Sequence, residues 1–152
     1  MSSGSKERLR LWLRLLKVVR GIEAELRDRL RQEYSTTLPR FDMLAALSRN
    51  PEGLKMSQLS GVLRVSGGNV TGLADRLAEE GLVERVPVPG DRRAMLLRVT
   101  EAGLVQFEEQ ARAHEAWIDA MLSNVSAADA RDMAARLTAF AQRKTEEKTA
   151  HA

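Results

Sequence analysis

The chain has 152 residues, 43% hydrophobic and 30% charged, with a formal net charge of +3, enough apolar material for one domain or two small modules with a buried core. It has no cysteine, which excludes disulfides, thiolate metal sites, thiol nucleophiles and thiol-based oxidant sensing, and suits a reducing cytoplasm. The first apolar stretch, Leu9 to Val19, is interrupted by Arg10, Arg14 and Lys17, so neither a signal peptide nor a membrane span of roughly 20 residues is expected and the protein reads as cytoplasmic.

In chain order, Trp12, Leu15, Val19, Ile22 and Leu26 recur every three or four residues, widened by Leu9, Leu13, Leu16 and Leu30. This spacing predicts a long amphipathic helix over about 6–34. Pro39 suits the first turn of a second helix that carries Phe41, Leu44 and Leu47 inward, and Asn50-Pro-Glu-Gly53 marks a turn. A short helix is predicted over about 56–63, although Gly61 weakens it and Lys55 stands where a capping Ser or Thr is expected. Ser66 then serves as N-cap of a helix whose inward face is Val70, Leu73 and Leu77 and whose end is Gly81. Two short helices joined tightly make a helix-turn-helix.

After Gly81 the pattern alternates, and Pro87, Pro89 and Gly90 place a loop tip at about 88–93 between two strands. The prolines are expected to confine pairing to the outer ends of this hairpin. Thr100 caps a helix over about 101–122 with the stripe Leu104, Phe107, Ala111, His114, Ile118 and Met121. Ser126 with Asp129 opens a last helix carrying Met133, Leu137 and Phe140. Residues 1–5 and about 144–152 are expected to be disordered.

The fold class is therefore mainly α with a small β-hairpin wing: a winged helix-turn-helix over 35–100, flanked by long terminal helices at 1–34 and 101–152. The apolar stripes of the terminal helices exceed what one small winged module can cover, which points to a two-fold homodimer formed through them. Charge is uneven: residues 6–40 hold ten Lys and Arg against five Asp and Glu, residues 41–100 eight against seven, and residues 101–152 six against nine. No cluster of His or paired carboxylates converges on a cleft, so an enzyme is not expected, nor is a cofactor. With His114 and His151 the only histidines, no transition-metal site is expected either.

The stretch "SGGNVTGLADRL" carries the strongest signal. Glycine costs about 1 kcal/mol relative to alanine inside a helix, yet Gly67, Gly68 and Gly72 all stand here. On a helical wheel Gly68 and Gly72 stack on the outward face, where missing side chains let the backbone approach a surface closely and the first amides point at an anion. DNA phosphate fits both properties. Asn69 suits adenine, Thr71 a thymine methyl or a phosphate, and Arg76 a phosphate or an internal salt bridge. The wing tip "PGDRRA" adds arginines suited to a minor groove, with Asp91 holding Arg93 and Arg92 reaching outward.

"VSGGNVTGLADRLAEEGLVERVPVPGDRRAMLLRVTEAG", with "LPRFDMLAAL" upstream, resembles the winged helix-turn-helix of the MarR family of bacterial transcriptional regulators. The resemblance covers roughly residues 8–143. It implies an obligate homodimer on a pseudo-palindromic operator in double-stranded DNA, usually a repressor released by a small ligand. It carries the DNA positions onto Ser66, Gly67, Gly68, Asn69, Thr71, Gly72 and Arg76 of the helix and Asp91, Arg92 and Arg93 of the wing. Many members place an Arg where this chain has Gly72, so a base contact is replaced by closer backbone approach.

The resemblance further implies an organic effector seated between the dimer helices and the DNA-binding lobe. "TTLPRFDMLAAL" and "LWLRLLK" are similar to members controlling aromatic-acid catabolism, some of which respond to aromatic acyl-CoA thioesters. Candidate contacts are Trp12, Arg40, Arg85 and His114. For Trp12 and His114 core packing is the alternative; Arg40 and Arg85 offer a bidentate fork to a carboxylate or phosphate. The competing class is a winged-helix module that binds proteins and not DNA, which the nearly neutral charge of residues 41–100 would suit.

Overall fold

A computed structural model describes residues 2–63 and 67–152; the expected N-cap, Ser66, lies outside the described residues. In chain order the elements are α1 (Ser3–Tyr34), α2 (Leu38–Ser48), β1 (Leu54–Lys55), α3 (Met56–Leu63), α4 (Gly67–Glu79), β2 (Val83–Val88), β3 (Asp91–Val99), α5 (Glu101–Met121) and α6 (Ala127–Ala150). They fall into two compact units divided between Trp117 and Ile118.

In the first unit, local chemistry sets the helix ends. Thr37 caps α2 by accepting from the Arg40 N–H at 3.4 Å, with Pro39 in the first turn as expected. At α3 the missing Ser or Thr is replaced from inside the helix: the Lys55 N–H donates to Gln58 Oε1 at 2.8 Å, the returning half of a capping box. Gly81, with φ +73°, closes α4. Its N–H donates to the Ala78 carbonyl at 3.0 Å and that of Leu82 to the Leu77 carbonyl at 2.9 Å, the paired bonds of a Schellman ending.

The sheet has the order β1-β3-β2, all antiparallel, with Leu54 opposite Leu97 and Val83 opposite Val99. Two expectations are corrected. The sheet has a third strand, β1, too short for any alternating pattern to show. Pairing is also not confined to the outer ends: it runs from Val83 to Pro87 opposite Met95 and then shifts register between Pro87 and Val88. β2 is an edge strand, and proline's missing N–H is harmless when it faces the unpaired side.

Met43, Leu44 and Leu47 of α2, Leu59 of α3, Val70, Ala74 and Leu77 of α4, and Leu82, Val83 and Leu97 form the buried core. α5 docks onto it through Phe107 and through a joint at its first turn. Thr100 Oγ1 donates to the Gly81 carbonyl at 2.7 Å and accepts from the Gly103 N–H at 3.1 Å, while the Thr100 N–H donates to the Leu82 carbonyl at 3.1 Å. A Cβ on Gly103 would lie 2.0 Å from the Leu82 carbonyl oxygen, so no side chain fits there.

This docking also sets the rotation of α5. Its fully buried residues are Gly103, Gln110 and Trp117; of the expected stripe, Phe107, Ala111, His114, Ile118 and Met121 are half-buried beside them and Leu104 is exposed. Trp117 packs on Tyr34 at 6.2 Å and under the Arg29 guanidinium at 5.8 Å. Among the described residues, Gln110 Oε1 is buried without a hydrogen-bond partner.

In the second unit, Ser126 Oγ accepts from the Asp129 N–H at 3.1 Å and caps α6 as expected. Met133, Leu137 and Phe140 lie exposed along α6. The expectation of disordered ends is corrected at both. α1 begins at Ser3 and α6 runs to Ala150, where Arg143 pairs with Glu147 at 3.2 Å and Thr145 and Thr149 bond to carbonyls one turn back. Polar composition alone does not stop a helix that contains no breaker.

Gly103→Ala should destabilise the protein by about 1–3 kcal/mol through overpacking against backbone. Urea melts of the two proteins measure this, and equal midpoints would refute the joint. Gln110→Met should raise stability by about 1 kcal/mol by removing an unsatisfied acceptor; a lower midpoint would show that Oε1 is satisfied in solution.

Candidate nucleic-acid interface

The amphipathic division of α4 matches the expected wheel. Val70, Ala74 and Leu77 are fully buried with Leu73 packed beside them, while Asn69, Thr71, Asp75, Arg76 and Glu79 are exposed. Gly72 lies among the latter, and a Cβ built on it would meet nothing within 4 Å. Nothing among the described residues therefore requires glycine there. Asn69, Thr71, Gly72 and Arg76 share one helix with Gly67 and Gly68.

In the wing, the turn at Pro89 and Gly90, where φ is +82°, leads into Asp91 at the start of β3. Asp91 Oδ1 accepts from the backbone N–H of Arg93 at 3.0 Å, so it orders the turn and does not hold the Arg93 guanidinium. Arg92 and Arg93 are both exposed. Among the described residues no ion pair engages Arg76, Arg92 or Arg93, so these cations keep their charge for an outside anion.

Three other arginines of this lobe are paired within the chain. Arg85 of β2 pairs with Asp75 of α4, Arg98 of β3 with Glu84 of β2 at 2.9 Å, and Arg40 of α2 with Glu80 just beyond α4. The Arg40 and Arg85 forks, candidates for a ligand, thus already hold carboxylates that anchor α4 to its neighbours. His114, also a ligand candidate, stacks on Phe41 at 4.7 Å, and Phe41 meets Phe107 at 5.4 Å. Burial lowers the pKa of His114 from its usual 6.5. Trp12, the fourth candidate, lies exposed on α1 with Leu9, Leu11, Leu13, Val18 and Val19.

Sequence pattern does not disclose a cleft of about 410 Å³ lined by Arg27 and Arg31 of α1 and by residues 35–39. Ser35 creates it by turning the chain through a left-handed conformation, φ 52°, between α1 and α2. The segment "TTLPRF" marked the region, but no periodicity shows that a turn leaves a hollow. Near it, burial and Glu23 raise the pKa of Asp42 while Arg27 and Arg49 oppose them. Among the described residues, no group of three or more His, Asp or Glu is placed to hold a metal ion, and no helix is long and apolar enough to cross a membrane.

Residues 34–94 match the model of the MarR family. A MarR family transcriptional regulator from Silicibacter pomeroyi is 33% identical, with a TM-score of 0.76 over 95% of this chain and 99% of that one. The chain belongs to the MarR family. The uncharacterized HTH-type transcriptional regulator YpoP of Bacillus subtilis (strain 168) is 32% identical over 63% of this chain and 68% of its own. The HTH-type transcriptional regulator PecS of Dickeya dadantii (strain 3937) is 29% identical over 57% of this chain. The match spans only about half of PecS, 54% of its length. The fold of this MarR chain, six helices and a three-stranded wing sheet among the described residues, is that of its solved relatives.

Two outcomes follow for the MarR chain. Gly72→Ala should stabilise the free protein by up to about 1 kcal/mol in urea, since its Cβ enters open space; destabilisation would show an unseen contact. For His114 the folded pKa lies below the unfolded value of 6.5, so as pH falls the unfolded chain binds the proton first and stability drops. Between about pH 7.5 and about pH 5.5 the wild type should lose more stability than His114→Phe. Identical pH dependence would show that the ring is not shielded.

Proposed function

We propose that this MarR-family chain is a DNA-binding transcriptional regulator, a repressor that grips a pseudo-palindromic operator as a homodimer and works in the cytoplasm. The observation that carries the reading is the exposed face of α4, where Gly72 opens onto empty space and Arg76 is uncommitted, in a chain whose wing presents Arg92 and Arg93. Such a face can lie against a major groove, with Asn69 and Thr71 at base edges and the backbone close to phosphate. The wing arginines would enter the flanking minor groove. Residues 1–34 and 101–152 would form the dimer. The exposed apolar residues of α1, Trp12 and Val19 among them, and those of α6, Leu137 and Phe140 among them, support that reading.

A dimer binds only when its two recognition helices stand about 34 Å apart, one turn of DNA. Release would come from a small organic effector, an aromatic carboxylate or its CoA thioester, that favours another spacing. An effector shifts the equilibrium only by its differential affinity for the two states. The cleft beside α2 supports an anionic ligand: its size lies within the range of small-molecule sites. Its two arginines are held only by exposed partners, Glu23 at 3.1 Å and Asp28 at 2.9 Å, which are weak and exchangeable pairs.

Arg92→Ala should weaken binding to all duplex sequences alike and reduce the slope of log affinity against log salt by about 1. Gel-shift titrations across salt concentrations measure both quantities. Unchanged affinity and slope would remove the wing from the interface.

A further inference from the structure

The cleft and the DNA-facing helix are joined by one side chain. Thr36 is buried and lines the cleft. Its Oγ1 accepts from Arg40 Nε at 3.3 Å, and Arg40 Nη2 of the same guanidinium pairs with Glu80 Oε2. Glu80 is the residue directly after α4, and its own N–H donates to the Arg76 carbonyl at 3.1 Å, immediately before the Schellman bonds of Gly81 and Leu82.

The Arg40 side chain is only 16% exposed while that of Glu80 is 49% exposed, so the Arg40 end of this bridge is better sheltered from solvent than the arginines of the surface pairs on α1. The guanidinium is a rigid plane. A shift of the arm held by Thr36, which lines the cleft, therefore turns the arm that holds Glu80. We propose that Arg40 is a positioning residue that couples the Thr36 wall of the cleft to the C-terminal end of α4, so that occupancy of the cleft alters the hold on the DNA-facing helix. The regulatory meaning rests on the function proposed above; the coupling itself does not.

Hydrogen exchange on the full chain tests the coupling without any ligand, using Thr36→Val, Glu80→Gln, their double variant and Arg40→Lys. Thr36→Val should speed exchange of the amides of residues 77–80 about fivefold, a size usual for coupled residues. In the Glu80→Gln background it should add nothing. Arg40→Lys keeps a charge for Glu80 but loses the two-armed bridge, so it should match Thr36→Val and abolish that variant's effect. Additive effects of Thr36→Val and Glu80→Gln, or an α4 indifferent to Thr36→Val, would overturn the proposal. Affinity for a generic duplex, measured on the same proteins, should fall in parallel with faster exchange. A wild type that binds no DNA would defeat the regulatory reading and leave the coupling to be decided by exchange alone.

Discussion

The close approach of the α5 backbone to the Leu82 carbonyl at Gly103 fixes the corner where α4, the wing and α5 meet. Leu82 is also the residue whose N–H completes the ending of α4, and it sits one residue before β2. One carbonyl-to-glycine contact, clamped by Thr100 between the Gly81 carbonyl and the Gly103 N–H, thereby orients the end of α4, the root of the wing and the start of α5. Side chains farther along follow from that orientation. Trp117 reaches Tyr34 and Arg29, His114 reaches Phe41, and Leu104 is left outside.

With that corner fixed, charge is divided in a way that bears on function. Carboxylates on and just beyond α4 are consumed in holding the helix: Asp75 by Arg85 and Glu80 by Arg40. Arg76 and the wing arginines stay uncommitted among the described residues. The lobe is close to neutral by composition, yet among the described residues α4 and the wing tip together carry three cations outside any ion pair, Arg76, Arg92 and Arg93. Nearly equal numbers of charges therefore argue little against binding to a polyanion, because pairing decides which of them an approaching phosphate meets.

Most of the fold was legible because it rests on local patterns. The inward face of α4, the Gly81 ending, the Thr100 and Ser126 caps and the wing all follow from residue types at fixed spacing. What escaped depends on contacts distant in sequence. Strand β1 exists only because Leu54 and Lys55 find β3, and the close fit at Gly103 accompanies a Leu104 left exposed where the stripe of α5 expected it inside. Gln110 is buried, and nothing in its neighbourhood of the chain signals it. At the site, α4 and the wing were legible by the same logic. The partners of Arg40 and Arg85 were not, since Glu80 lies 40 residues from Arg40, and the cleft is a space between elements that leaves no mark on periodicity.

The central proposal is that this chain holds duplex DNA through α4 and the wing, with affinity dominated by released counterions. Filter binding of the full chain to a generic duplex, from about 50 to about 200 mM salt, addresses it most directly. Saturable binding at low salt that weakens linearly on logarithmic axes, with a slope set by several phosphate contacts, is the expected result. No binding at the lowest salt would contradict it and would favour a winged-helix module whose partner is another protein.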